Sequence, residues 1–167
     1  MGAYIRRAEL ADGPALGALH SFCWSELYGS VLSPEVLGQL NPDMMANLWE
    51  KFLTRGEVYK QWVAVVDDEI VGFAGVGPGR EPEDAGSTEL YFIYVAPAVR
   101  RTGIGRTLLE AAKADYMWVW DGNPKSQKFY KKEKYKNELV SALRGRAPRR
   151  RLGSLFGTPI YELRFIR

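Results

Sequence analysis

Apolar and polar positions change period several times along these 167 residues, and each change marks an element. "AYIRRAEL" alternates like a first strand. "ADGPALGALHSFCWSELY" follows as a helix, with Asp12 placed to cap it and Pro14 in its first turn. "SPEVLGQL" and "PDMMANLWEKFLTR" predict one or two further helical pieces. The pattern then turns β-branched. "QWVAVVDDEIVGFAGVG" is two short runs joined at Asp67-Asp68-Glu69, a hairpin signal, and "TELYFIYVA" is a further strand after the Pro- and Gly-rich "GPGREPEDAGS". From Ile104 the apolar residues fall at Ile104, Leu108, Ala111 and Ala112, the spacing of one helical face. "YMWVW" predicts a buried strand. "NPKSQKFYKKEKY" predicts a helix with Asn123 as its cap and Pro124 in first position, and "TPIYELRFIR" alternates as a last strand.

That order, with three strands in succession and then a helix between each of the rest, predicts a mixed α/β fold with helices packed on a largely antiparallel sheet. The length fits one domain over 1–167, and no repeat or low-complexity linker divides it. The longest apolar runs are strand-length, far short of the roughly 20 residues of a membrane span, and the first residues lack a signal peptide's apolar core. A cytoplasmic protein without a membrane partner is expected. One cysteine, Cys23, excludes an internal disulfide, and with one histidine, His20, there is no Cys/His cluster for a metal. The net charge of +3 suits an anionic ligand without demanding nucleic acid.

The densest chemistry is "VRRTGIGRTLLEAA", residues 99–112, which sets two glycines and three arginines between a strand and a helix. The first turn of a helix exposes unpaired N–H groups and the positive end of its dipole, and glycines let an anion approach that backbone closely. A diphosphate and a plain tight turn explain the glycines equally well. Gly103-x-Gly105 lacks the third glycine of a dinucleotide fingerprint, since Leu108 stands there, and no Gly-Lys-Ser/Thr of a P-loop is present.

Arg100, Gly103 and Gly105, placed after "YVAP" and before a helix, fit the Arg/Gln-x-x-Gly-x-Gly/Ala signature of the GNAT superfamily of acyl-CoA-dependent N-acetyltransferases. "NPKSQKFY" is similar to that family's Asn-x-x-Ala/Ser-x-x-Phe-Tyr, met by Asn123, Ser126, Phe129 and Tyr130. "IVGFAGV" and "PIYELRFIR" resemble its third and last strands, so the resemblance covers essentially the whole chain. It implies a central, twisted, largely antiparallel sheet flanked by helices on both faces, with acetyl-CoA as co-substrate and no metal. It also implies that the backbone of Arg101, Thr102, Gly103, Ile104, Gly105 and Arg106 holds the coenzyme's pyrophosphate, with Arg100 and its neighbours adding charge. The strand over 88–96 would splay at a bulge and pair its backbone near Ile93 and Val95 with the pantetheine arm. Asn123 would lie near that arm, or simply cap its helix.

Transfer to an amine has three needs: a neutral amine, a donor for the developing oxyanion, and a proton or strong stabilisation for the departing thiolate. The resemblance assigns the last to Tyr130, whose phenol stays protonated at neutral pH; as ordinary core aromatics, Phe129 and Tyr130 would need no such role. Glu89, eleven positions before Arg100, is where some members carry a general base, and it needs burial or a water relay to serve; a solvated strand-start glutamate is the alternative. Bulge N–H groups are the expected oxyanion donors. Trp24 and Tyr28, with Met44, Met45 and Trp49, either line the acceptor pocket or pack helices on the sheet. His20 carries no assigned chemistry. The acidic loop "EPEDAG" either attracts a cationic amine or is merely solvated.

The expected function is acetyl transfer from acetyl-CoA to a primary amine of a small molecule or peptide, by direct attack, in a monomer or homodimer. An acyl-CoA sensor without turnover is one alternative. Another is a nucleic-acid module marked by "RGRAPRRR", residues 144–151, which is otherwise a solvated loop between the last two strands. Two features depart from the family: the junction at Asp115 and Tyr116 is short, and Lys134 ends a lysine-rich helix where relatives often carry glycine.

Overall fold

The computed structural model describes residues 2–138 and 150–167. Among these described residues eight strands and five α-helices follow one another: β1 (Tyr4–Arg7), α1 (Gly13–Tyr28), α2 (Pro34–Gln39), α3 (Pro42–Leu53), β2 (Lys60–Val66), β3 (Glu69–Pro78), β4 (Thr88–Val95), α4 (Ile104–Ala112), β5 (Tyr116–Trp120), α5 (Pro124–Lys132), β6 (Lys136–Asn137), β7 (Arg150–Leu155) and β8 (Thr158–Ile166). The strands form one sheet in the order β1-β2-β3-β4-β5-β8-β6, with β7 also on β8. Every pairing is antiparallel except β4 with β5, which α4 connects as a crossover.

Local chemistry accounts for most boundaries. Ser33 and Asn41 cap α2 and α3 by each accepting from the N–H three positions on, and a proline opens each of those helices. Asp67 and Asp68 both take positive φ, 49° and 64°, in a two-residue hairpin turn that follows the sheet's twist. Asp12 departs from the expected cap. Its carboxylate accepts from the Arg6 guanidinium at 2.7 and 2.8 Å and from the Glu9 N–H at 2.8 Å, so it ties β1 to the approach of α1 instead.

Helices cover both faces. Leu90, Met117, Val119, Leu163 and Phe165 pack under Leu108 and Leu109 of α4 and Tyr130 of α5. On the other face Val63, Val65 and Phe73 pack against Leu16 of α1 and Trp49 of α3. The short junction closes by a left-handed Lys113 (φ 51°), after which Asp115 exchanges bonds with Thr88 and delivers the chain directly to β5. Lys134 takes φ 70°, the conformation a glycine would adopt there.

The hairpin β7–β8 and the two-residue β6 were not expected from the sequence. Residues 144–149 of the basic run lie outside the described residues, whereas Arg150 and Arg151 belong to β7 rather than to a loop. Arg151 is ion-paired with Glu81 and Glu162, at 3.0 and 2.6 Å, and its guanidinium lies 4.4 Å over Trp118. The loop before β4 is likewise strapped rather than solvated: Glu81 holds Arg151, and the buried Asp84 pairs with Arg164 of β8.

Candidate active site

β4 and β5 begin as neighbours and then part. Glu89 pairs with Tyr116 and Leu90 with Met117, and the ladder stops there. At the same place β4 carries an extra residue: Leu90 faces Val76 and Phe92 faces Gly75, leaving Tyr91 unopposed in a bulge. Beyond it, the Ala96 N–H bonds to the Val71 carbonyl, so by antiparallel alternation the N–H and C=O groups of Ile93 and Val95 turn away from β3. They face the gap that β5 has left. The expected splay therefore exists, and its open edge carries the two predicted residues.

The mouth of the gap is the start of α4. Gly103 precedes the helix with φ 98°, where a side chain would be strained, and an added Cβ would meet nothing within 4 Å. Gly105 would place a Cβ no closer than 3.5 Å to Phe129, so protein packing alone does not demand glycine there. The first backbone bond into the helix is Thr107 N–H to the Gly103 carbonyl, and among the described residues no partner accepts from the N–H groups of 101 to 106. Arg101 itself is left-handed at φ 69°, which costs on the order of 1–3 kcal/mol for a residue with a side chain and turns successive N–H groups inward as an anion-binding concavity.

The arginines are not all free for that corner. Arg100 donates from Nε to the Val95 carbonyl at 2.9 Å and clasps both oxygens of Glu26 on α1. Arg106 clasps Glu133, at 3.0 and 3.1 Å. Arg101 alone of the three makes no ion pair among the described residues. Asn123 caps α5: its Oδ1 accepts from the Ser126 N–H at 3.1 Å and its Nδ2 donates to the Ser126 hydroxyl at 2.7 Å.

Tyr130 is buried on α5 among Phe129, Tyr135 and Phe165, with ring centroids at 5.2, 6.2 and 5.9 Å. Burial raises its phenol above the ordinary tyrosine value, helped by Tyr135 and by Tyr28. Tyr28 reaches it from the opposite face of the sheet. Tyr94 of β4, also raised by burial, is influenced by both Tyr28 and Tyr130. Tyr28 and Trp24 are in contact, 5.2 Å between rings, and Trp24 abuts Phe156 of the β7–β8 turn while Tyr28 abuts Trp120. They pack with Leu32, Leu40 and Met45, so the same rings that seat α1 also wall this side of the gap.

Glu89 is wholly buried, not the solvated strand-start residue left open by the sequence. It sits where the two strands still pair, at the closed end of the fork. Its carboxylate accepts from the Arg80 side chain, from the Arg80 N–H at 3.2 Å and from the Tyr116 hydroxyl at 2.9 Å. Arg80 is held charged chiefly by this bond, its pKa raised further above an already high value. Arg80, Tyr116, Tyr94 and Glu26 were not among the site residues read from the sequence. Nothing in the spacing of charges identifies them, because each partner lies on a different element.

His20 is buried against five rings, Trp24, Trp49, Phe73, Phe92 and Tyr94, and neither ring nitrogen has a partner among the described residues. Burial pushes its pKa down to about 3, so it is neutral at physiological pH.

Comparison with known proteins agrees with this geometry. Residues 57–137 match the model of the acetyltransferase (GNAT) domain. The uncharacterized N-acetyltransferase YuaI of Bacillus subtilis is 28% identical over 132 aligned residues, covering 72% of this chain and 73% of that one. The probable N-acetyltransferase Rv2775 of Mycobacterium tuberculosis is 27% identical over 139 residues, covering 78% of each. Among solved structures, the PaiA N-acetyltransferase of Thermoplasma acidophilum in complex with coenzyme A superposes with a TM-score of 0.68 at 18% identity, covering all of both chains. The apo form of YjaB from Escherichia coli gives 0.67 at 25% identity, covering 99% of this chain and 97% of that one. Among the described residues no helix is long and apolar enough to cross a membrane.

Proposed function

Because the chain is a member of the GNAT superfamily of N-acetyltransferases, we propose that it transfers the acetyl group of acetyl-CoA to a primary amine by direct attack, with no acyl-enzyme. The observation that carries this reading is the fork between β4 and β5: backbone groups of Ile93 and Val95 that turn to the gap, with the Val95 carbonyl held by Arg100, and unpartnered N–H groups from 101 to 106 at its mouth. The coenzyme of the Thermoplasma neighbour supports an acyl-CoA ligand here. The diphosphate would sit on the N-terminus of α4, with Arg101 the arginine free to meet it. The amide-bearing arm would pair with Ile93 and Val95 as an added strand, fixing the thioester in the gap. Asn123 at the start of α5 borders the arm while keeping its capping bond.

With the coenzyme entering over α4, the amine reaches the thioester from the face of Tyr28 and Trp24. The amine nitrogen bonds to the carbonyl carbon, and backbone N–H groups at the Tyr91 bulge stabilise the oxyanion. Collapse breaks the carbon–sulfur bond. Tyr130 then donates a hydrogen bond to the leaving thiolate, and the raised pKa of this phenol keeps the proton on its oxygen, so the proton that ends on sulfur derives from the amine. Glu89 is the proposed base. Its complete burial means that it accepts through a relay, rather than by contact, the proton that converts the ammonium ion to the attacking neutral amine, a different proton from the one that reaches sulfur.

Release of free thiol from acetyl-CoA, measured over a panel of small amines and peptides, tests the reading. Tyr130→Phe deletes one hydroxyl and keeps the ring. Turnover is expected to fall by about a hundredfold to a thousandfold while the melting shift produced by coenzyme persists. Near-normal turnover by Tyr130→Phe removes the tyrosine from the mechanism. No thiol release with any amine, despite a melting shift, would indicate a protein that binds the coenzyme without turnover.

A further inference from the structure

One guanidinium joins the two halves of this site. Arg100 holds the Val95 carbonyl, which faces the gap, and through its other nitrogens it holds Glu26 of α1. Cys23, one turn before Glu26, also interacts with Arg100 and is buried at 1% exposure. The same helix carries Trp24 and Tyr28, which wall the acceptor side. In this arrangement Arg100 fills the space at the strand edge where the arm's amide would bond, and it points away from the free N–H groups that begin one residue later.

We propose that Glu26 is a positioning residue: by drawing Arg100 across the mouth of the gap it seats α1, and coenzyme, by capturing Arg100, releases α1 to admit the acceptor. The inference rests on the reading of the gap as the coenzyme site. Three physical facts support it. The Arg100 and Glu26 side chains are 39% and 43% exposed, and an ion pair so exposed is exchanged at little cost. A diphosphate on residues 101–106 offers Arg100 a more highly charged partner whose position is fixed by backbone donors. Glu26 bears the same sign as that diphosphate, so the two compete for one guanidinium, and removing the charge of Glu26 leaves Arg100 to the ligand.

Cys23 is the only cysteine in the sequence, which makes it a specific reporter of α1. Its thiol is pushed up to about 11 by burial, so alkylation by iodoacetamide is slow until α1 moves. The probe ligand is desulfo-coenzyme A, which contributes no thiol, with labelling read by intact mass. In the wild type, saturating probe is expected to speed Cys23 labelling by about fivefold or more. Glu26→Gln is expected to label quickly without probe, to gain little from it, and to bind the probe about fivefold more tightly. Labelling of the wild type that is unchanged or slowed by bound probe overturns the proposal. So does a Glu26→Gln variant whose affinity for the probe falls, since faster labelling would then report only a loosened fold. If the wild type shows no melting shift with probe at all, the coenzyme reading fails first and takes this inference with it.

Discussion

His20 is the only histidine of the chain, which ties its protonation to a measurable pH dependence of stability. Packed among five aromatic rings without a hydrogen-bond partner, it has a pKa near 3 in the folded state against 6.5 unfolded. Between those values the unfolded chain binds a proton that the folded chain does not, so stability rises with pH through this window and is fully recovered above pH 6.5. At 1.36 kcal/mol per unit, acidification to pH 5 costs about 2 kcal/mol from this one group, a fall in melting temperature of roughly 4–8 °C for a chain of this size. Carboxylates begin to titrate in the same range. The informative quantity is therefore the difference between the wild type and His20→Leu, which has similar volume and no titration. At pH 7.5 the variant is expected to match or exceed the wild type, because two buried unpaired nitrogens cost about 1–3 kcal/mol each and the substitution removes them. At pH 5 its advantage is expected to widen by about 2 kcal/mol. Urea unfolding at both pH values measures this. An advantage that stays constant to within about 0.5 kcal/mol between pH 7.5 and 5 would refute the reasoning, since His20 would then be solvated or partnered in solution.

Acetyl-CoA at a hundred times its dissociation constant is expected to stabilise the wild type by about 2.7 kcal/mol, and Gly103→Val to abolish that shift, because a β-branched residue resists the positive φ; an intact shift in the variant would remove the corner from the site. Glu89→Gln keeps most of the hydrogen-bonding shape but removes basicity, so a relay base should lose rate mainly at low pH and recover as more amine is neutral. A flat rate profile accompanied by a lowered melting temperature would instead make Glu89 only the anchor of the loop carrying Arg80. Lys134→Gly relieves a left-handed residue and is expected to raise stability by a few tenths to about 1 kcal/mol in thermal unfolding, with no change in coenzyme affinity.

Where the determinants are local, the sequence by itself was decisive. The cap at Asn123, the two-aspartate hairpin turn and the buried strand over Tyr116–Trp120 each follow from a few consecutive residues, because backbone donors and side-chain periodicity are satisfied within one turn or one strand face, whereas Asp12, expected as a cap, is drawn to Arg6 instead. The glycines at 103 and 105 likewise located the helix start. Position in space was another matter. β7 and β6 gain their identity only by pairing with β8, since two residues of strand, or a run of arginine, leucine, glycine and serine, carry no period of their own. The charged residues were the least legible. Glu26 and Arg100 meet across 74 positions, Arg151 and Glu81 across 70, and Arg164 and Asp84 across 80. An ion pair leaves no mark on local periodicity, so the sequence assigned no partners to the corner's arginines and left both Glu89 and the acidic loop open between a functional role and plain solvation. The tertiary structure alone decided which of those charges were already spent on one another: burial demands a partner for Glu89, Asp84 and Arg164, and only the folded sheet brings the partners together.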